Sequence, residues 1–281
     1  MTAKILDGRK LSEQIIKEVK AKVKKLKLKP GLAAILVGNN PASELYVNMK
    51  KKSCNDCGFH FELYKFKENS LDTEVIDAII SLNKNENIHG IMVQLPLPKH
   101  MDKTLVLQAI DPLKDVDGCN SVNLGDIMIK DEKLLPATPK GVITLLDYYK
   151  IPVKGKEVVI VGHSAVVGKP LAMMFLNRDA TVTVCHEFTK DLKSHTSKAD
   201  ILISATGVPN LIKKNMVKKN AVVIDVGISK VKDKIAGDVD FNEVKKIASY
   251  ITPVPGGVGP MTIASLLENV LIAMQEQVLK P

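Results

Sequence analysis

Tyr46 and Lys50 stand four residues apart in YVNMKKKSCNDCG, and Cys54 and Cys57 follow within the same stretch. Each pair suggests its own chemistry. On a helix, residues four apart share a face. Tyr46 and Lys50 would then set an aromatic plate beside an amine, suited to a flat, electron-rich heterocycle undergoing proton transfer. A surface lysine against a half-buried tyrosine fits the same spacing. Cys54 and Cys57 are spaced like a redox or metal pair. A redox C-x-x-C, however, sits at a helix N-terminus, where the dipole lowers the thiol pKa. Pro41 suits a first helical turn and Gly58 a helix end, so this pair falls at the wrong end. Zinc needs two more close ligands, and no second C-x-x-C or H-x-x-x-H occurs. We expect buried thiols and no metal site.

Those residues need a frame. Short β-branched runs read as buried strands at 32–38, 60–66, 90–96, 157–162, 181–185, 200–205 and 221–227. Amphipathic segments such as 11–26 and 73–84 lie between them. The alternation implies an α/β fold with parallel sheets covered on both faces. The helix from Pro41 would leave the carboxyl end of strand 32–38, where open α/β sheets keep their ligands. Gln94 ends another strand of the same half. Asp115 and Asp117 lie in DPLKDVDG, a loop expected to face a cleft between domains; either could equally be a turn residue. The pattern breaks between about 112 and 140, which predicts a catalytic domain over 1–119 and a Rossmann-like dinucleotide-binding domain over 120–281. A final helix from about Pro260 to Leu279 carries the apolar stripe Leu266, Leu267, Val270, Leu271, Met274 and Val278, and is expected to return to the first domain.

The second half opens with EVVIVGHSAVVGKPLAMMFL, a strand, a glycine turn and a helix. Gly162 and Gly168 would let backbone N–H groups and the helix dipole face a phosphate. The usual G-x-G-x-x-G is absent, so the turn alone also fits a plain βα connection. Glu187 lies 19 residues beyond Gly168, close to the roughly 20 at which an acidic residue meets the ribose hydroxyls. Thr206 and Gly207 end the third strand and could approach a nicotinamide.

Bulk composition narrows the remaining classes. The chain has 281 residues, 45% hydrophobic and 25% charged, with net charge +9. Its only arginines are Arg9 and Arg178. Base readout and bidentate phosphate clamps favour arginine, and no nucleic-acid-binding signature appears. We expect no nucleic-acid partner. No continuous apolar run reaches the roughly 18 residues of a membrane span, and the N-terminus lacks a signal-peptide centre. A cytoplasmic protein without a membrane partner is expected.

Together the stretches VGNNPASELYVNMKKKSC, GIMVQLPLP, DPLKDVDG, PATPKGVITLL, VVIVGHSAVVGKPLA, ADILISATGVP, GDVDF and TPVPGGVGPMTIASLLEN resemble the bifunctional methylenetetrahydrofolate dehydrogenase/methenyltetrahydrofolate cyclohydrolase family. The resemblance spans nearly the whole chain. It implies that Lys50 is the central catalytic group, that Tyr46 stacks on the folate, that Gln94 hydrogen-bonds the lysine and that Asp117 holds the pteridine ring. Ser43 and the loop with Pro255, Gly256 and Gly257 would contact substrate. Gly162, His163, Ser164, Glu187, Thr206, Gly207 and Ile228 fall at cofactor positions. NADP is the family default, and many relatives carry arginine where this chain has His163. With His163 and Glu187 in place, NAD becomes a plausible cofactor. A homodimer is also implied. The competing expectations are a family member with one activity only, a nucleotide-binding regulatory protein and a thiol oxidoreductase.

Overall fold

The structure is a computed structural model that describes residues 2–231 and 234–278. In chain order the elements are β1 (Lys4–Ile5), α1 (Gly8–Val23), β2 (Gly31–Val37), α2 (Pro41–Cys57), β3 (His60–Phe66), α3 (Asp72–Lys84), β4 (Gly90–Val93), α4 (Lys103–Gln108), α5 (Ser121–Met128), α6 (Ala137–Tyr148), β5 (Glu157–Val161), α7 (Gly168–Leu176), β6 (Thr181–Cys185), α8 (Leu192–Thr196), β7 (Ile201–Ser204), β8 (Val222–Asp225), β9 (Ser229–Val231), β10 (Lys234–Ala236), α9 (Phe241–Val244), β11 (Tyr250–Ile251) and α10 (Val258–Val278). They form two compact units.

The first unit comprises Glu13–Ala137 and the chain from Ile263 on. Its parallel sheet has the order β3-β2-β4. All seven residues of β2 are buried, as expected of a central strand covered on both faces. Ala33, Ile35 and Val37 meet Val75, Ile79 and Leu82 of α3 in one apolar cluster with Ile91, Val93 and Val106. The later part of α10 fastens to this unit by polar bonds as well as packing. Asn269, fully buried, donates from Nδ2 to the carbonyls of Val116 (2.9 Å) and Leu135 (2.8 Å). Gln277 donates to the carbonyls of His89 and Leu113. By length and composition α10 could cross a membrane, but 67% of its apolar window is buried, and Leu266, Leu267 and Val270 are core residues.

The second unit comprises the chain up to Ser12 together with Thr138–Thr262. Its sheet has the order β1-β11-β8-β7-β5-β6, parallel throughout. Val159, Val161, Leu202, Val223 and Ile251 form the centre of its core.

The expected boundary at 119/120 differs from this division. Residues 120–137 pack with the first unit because Asp115 ties down the start of α5. Its Oδ2 accepts from Asn120 N at 2.6 Å and from Asn123 Nδ2 at 3.0 Å. The first residues go to the second unit because β1 pairs with β11, and a two-residue strand leaves no periodic trace in sequence. The run 90–96 yields a strand only to Val93, since Pro96 has no N–H to give a ladder. Leu279, the expected last residue of the final helix, lies outside the described residues.

Asp225 ends β8 with its side chain buried. It accepts from the N–H groups of Gly227, Asp238 and Val239 at 2.9–3.0 Å. Burial pushes its carboxyl up to about 6; those hydrogen bonds oppose the rise and the neighbouring Asp238 charge adds to it. The folded state therefore holds this proton more tightly than the unfolded chain does. The resulting stabilisation is full below about pH 4 and is lost as pH rises through about 6. Guanidinium unfolding of wild type and Asp225→Asn should show the wild type losing about 1 kcal/mol relative to the variant between pH 5 and pH 7. A gap that stays flat or moves the other way would contradict this assignment.

Candidate active site

Helix α2 is specified at both ends. Asn40 caps it, its Oδ1 accepting from Ala42 N (3.0 Å) and Ser43 N (3.1 Å), and Pro41 occupies the first turn. Gly58 closes it at φ 83°, a left-handed conformation that costs a Cβ-bearing residue. The inward stripe of this helix is Ser43, Val47, Lys50, Cys54 and Cys57. Lys50 thus occupies a position that spacing reserves for an apolar residue. It is only 7% exposed. Its Nζ donates to Gln94 Oε1 at 3.1 Å. Gln94 is itself held: its Nε2 donates to the Leu95 carbonyl at 2.8 Å and its backbone N–H to the Ile35 carbonyl at 2.9 Å. The carboxamide oxygen is therefore fixed toward the lysine by the carboxyl ends of β2 and β4.

Burial pushes the Lys50 ammonium below the ordinary lysine value, and the Asp117 carboxylate is the largest opposing influence. Tyr46, one turn earlier, is half-buried, and burial raises its phenol. Ser43 is buried with its hydroxyl unpartnered. Lys50, Gln94, Tyr46, Ser43 and Asp117 all belong to the first unit.

The two loop aspartates separate into different roles. Asp115, in the loop expected to face a cleft but equally readable as a turn residue, is 1% exposed and organises the 115–123 turn. Burial raises its carboxyl to about 6, against the hydrogen bonds from Asn120 and Asn123. Asp117, two residues on, is half-exposed and is the residue whose charge reaches Lys50. Cys54 and Cys57 are buried free thiols. Burial raises both, and Cys57 Sγ donates to the Ile16 carbonyl. Raised thiol pKa values remove the thiolate that an oxidoreductase would need. Among the described residues no group of three His, Cys, Asp or Glu side chains converges as metal ligands.

The second unit carries the glycine turn. Gly162 leaves β5 at φ 117°, and a Cβ there would strike the Ala205 carbonyl. Gly168 opens α7 against the Gly162 carbonyl, again with no room for a Cβ. Ser164 Oγ accepts from Val167 N at 3.2 Å. His163 and Glu187 meet beside the turn, Nδ1 to Oε2 3.7 Å. Such a tight strand-turn-helix fits a dinucleotide phosphate at the helix N-terminus. After β7, Thr206 donates from both N (2.7 Å) and Oγ1 (2.9 Å) to Asp238 Oδ2, which also accepts from Ser204 Oγ (2.9 Å). Gly207 follows at φ 72°, and its carbonyl accepts from Ser229 Oγ. Ile228 is exposed. Pro255, Gly256 and Gly257 precede α10 in this same unit. Sequence reasoning passed over Asp238, whose carboxylate braces the Thr206 turn. GDVDF gave no sign of it, because its partners lie more than 30 residues away.

Comparison with known proteins agrees with both halves. Residues 6–117 match the tetrahydrofolate dehydrogenase/cyclohydrolase catalytic domain, and residues 136–278 match the NAD(P)-binding domain of the same family. A bifunctional protein FolD from Nitratiruptor sp. is 53% identical over 277 residues, 97% of this chain and 98% of that one. The crystal structure of the bifunctional methylenetetrahydrofolate dehydrogenase/cyclohydrolase FolD from Campylobacter jejuni superposes with a TM-score of 0.96 at 48% identity, covering 98% of this chain and 99% of that one. A Trypanosoma brucei methylenetetrahydrofolate dehydrogenase-cyclohydrolase, solved with NADP and an inhibitor, gives 0.96 at 37% identity, with 99% of each chain covered. A buried lysine on one unit, a glycine turn on the other and near full-length likeness on both lead to one conclusion: the chain belongs to the tetrahydrofolate dehydrogenase/cyclohydrolase family.

Proposed function

We propose that this chain oxidises 5,10-methylenetetrahydrofolate to the methenyl form with a nicotinamide dinucleotide and then hydrolyses that product to 10-formyltetrahydrofolate. The observation that carries the reading is the Lys50 ammonium, buried and donating to an oriented Gln94. When bound, the dinucleotide accepts the hydride that leaves the bridging carbon. The two folate nitrogens stabilise the resulting cation, so that step asks the protein for positioning more than for acid or base. Gly162, Ser164, Thr206, Gly207 and Ile228 would hold the dinucleotide. Ser43, Tyr46 and Asp117 of the first unit would hold the folate, with the Tyr46 ring stacked on it.

Hydrolysis makes the larger demand. Water adds to the methenyl carbon and loses a proton. N5 then takes up a proton as its bond to that carbon breaks, and the added oxygen sheds its second proton to become the formyl carbonyl. A group that accepts and returns protons near neutrality serves these transfers. Desolvation moves Lys50 toward that requirement; an arginine would stay charged. One Lys50 N–H donated to Gln94 restricts where the lone pair of the neutral amine can point. Asp117 offsets the charge when the amine is protonated. A family member with a single activity is less well supported, because Lys50 is present with its Gln94 bond and within the influence of the Asp117 charge. The cytoplasmic location and homodimer belong to the same proposal.

Lys50→Met should lower cyclohydrolase kcat by about 10²–10⁴-fold while the protein still binds dinucleotide, as measured by methenyl-folate absorbance decay and nucleotide titration. Lys50→Arg should be nearly as impaired, because the charge stays but the titration is lost. Wild-type hydrolysis in either variant would remove Lys50 from the mechanism. The cyclohydrolase rate of the wild type should rise with pH through an ionisation below the ordinary lysine value. Gln94→Ala should move that ionisation and lower kcat more than it raises KM; an unmoved profile would count against the lysine as proton acceptor.

A further inference from the structure

The ends of β5 and β6 lie side by side, with Val161 opposite Cys185 and Gly162 N donating to the Cys185 carbonyl at 2.8 Å. The residues that leave the sheet here, His163 on one strand and His186 and Glu187 on the other, therefore form one local group. His163 and His186 rings pack at 4.9 Å between centroids. A tight turn fixes residues 186–189. His186 N donates to Thr189 Oγ1 (2.9 Å), Phe188 N donates to His186 Nδ1 (3.2 Å), and Thr189 N returns to the His186 carbonyl (2.9 Å). The turn presents the Glu187 carboxylate, its side chain 64% exposed, with His163 Nδ1 at 3.7 Å beside it.

An acidic side chain at this place in a strand-turn-helix unit accepts from the ribose hydroxyls, whereas a nearby arginine accommodates a 2′-phosphate. No arginine is available here. Arg178 lies beyond the C-terminal end of α7, where its Nη1 donates to the Met174 carbonyl at 2.8 Å. Arg9 belongs to α1. A 2′-phosphate carries about −1.5 to −2 charges at pH 7 and would meet a carboxylate held on a rigid turn. The exposed cations nearest in sequence are Lys169 and Lys190. Lys169 follows Gly168 at the start of α7, placed for the pyrophosphate, and Lys190 follows the turn.

We propose that Glu187, steadied by His163, is the residue that reads the adenosine ribose, and that it makes this chain select a dinucleotide with a free 2′-hydroxyl over one with a 2′-phosphate. The inference rests on the dinucleotide-binding reading of this unit and names the cofactor that site takes. Its two arms are attraction, from the ribose hydroxyl donating to the carboxylate, and repulsion of the phosphate. Substitutions separate them: Glu187→Gln retains an acceptor and removes the charge, and Glu187→Ser removes both.

The test is calorimetric titration of the full chain with NAD⁺ and with NADP⁺, beside steady-state kinetics with each. Wild type should bind NAD⁺ at least about tenfold tighter, with the difference in Kd and KM and little in kcat. Glu187→Ser should weaken NAD⁺ and strengthen NADP⁺, each by about tenfold, reversing the preference. Glu187→Gln should leave NAD⁺ within a few-fold while NADP⁺ tightens. Unchanged far-UV circular dichroism and Tm verify folding. Wild type binding NADP⁺ as tightly as NAD⁺, or a ratio unmoved in Glu187→Ser, overturns the proposal; a loss of NADP⁺ binding in Lys190→Ala would then locate the phosphate site. Tight, selective NAD⁺ binding with no methenyl product from either dinucleotide would instead defeat the dehydrogenase reading and leave the selectivity standing.

Discussion

A charged amine does not enter a protein interior without a reason, and Lys50 is there. Taking an ammonium out of water costs several kcal/mol even after relaxation. What offsets that cost here is one hydrogen bond to Gln94, the nearby Asp117 carboxylate and the option of losing the proton. The first two hold the side chain in place, and the third is what the proposed hydrolysis would draw on. Much of the first unit can be understood as support for this one placement. Capping by Asn40 and the Gly58 stop fix the length and register of α2. The buried strand β2 fixes Gln94 through the Ile35 carbonyl. Asp115, locked into Asn120 and Asn123, shapes the turn from which Asp117 acts.

The second unit follows a different logic. Among the described residues its turns carry no buried cation; they bring backbone close to where a ligand phosphate would lie. Gly162 and Gly168 do so by having no Cβ, and Asp238 does so by gathering three donors of the Ser204–Thr206 segment on one oxygen. The other Asp238 oxygen is buried and unpartnered. Together with the raised Asp225 carboxyl, it marks this strand-end cluster as polar machinery held at a cost in stability. Positioning is what hydride transfer requires of a protein, and rigid turns provide it.

Much of this was legible in the chain itself. Alternation of strands and helices announced the α/β class, and α2 was readable to the residue because Pro41 and Gly58 punctuate it. Spacing could not reveal that Lys50 is buried, since a lysine on an amphipathic helix is solvated far more often than not. Likeness to a family pointed there, and the structure supplies the cause in Gln94. The compact units divide the chain differently from the expected boundary for a physical reason. The turn residues at 112–140 read as a linker, yet Asp115 makes them part of the first unit, and a two-residue strand at the N-terminus joins the other sheet through backbone bonds that no side-chain period encodes. Long-range side-chain bonds such as Ser204 to Asp238 leave no local signature either.

The central claim is that Lys50 gives up its proton more readily than a lysine in water. It is tested most directly by NMR titration of lysines labelled with carbon-13 at Cε, with the Lys50 signal assigned by its absence in Lys50→Met. The account predicts a midpoint clearly below the roughly 10.4 of an unperturbed lysine, moved upward by added solvent access in a smaller Gln94 variant. A Lys50 signal titrating at or above that ordinary value would contradict it.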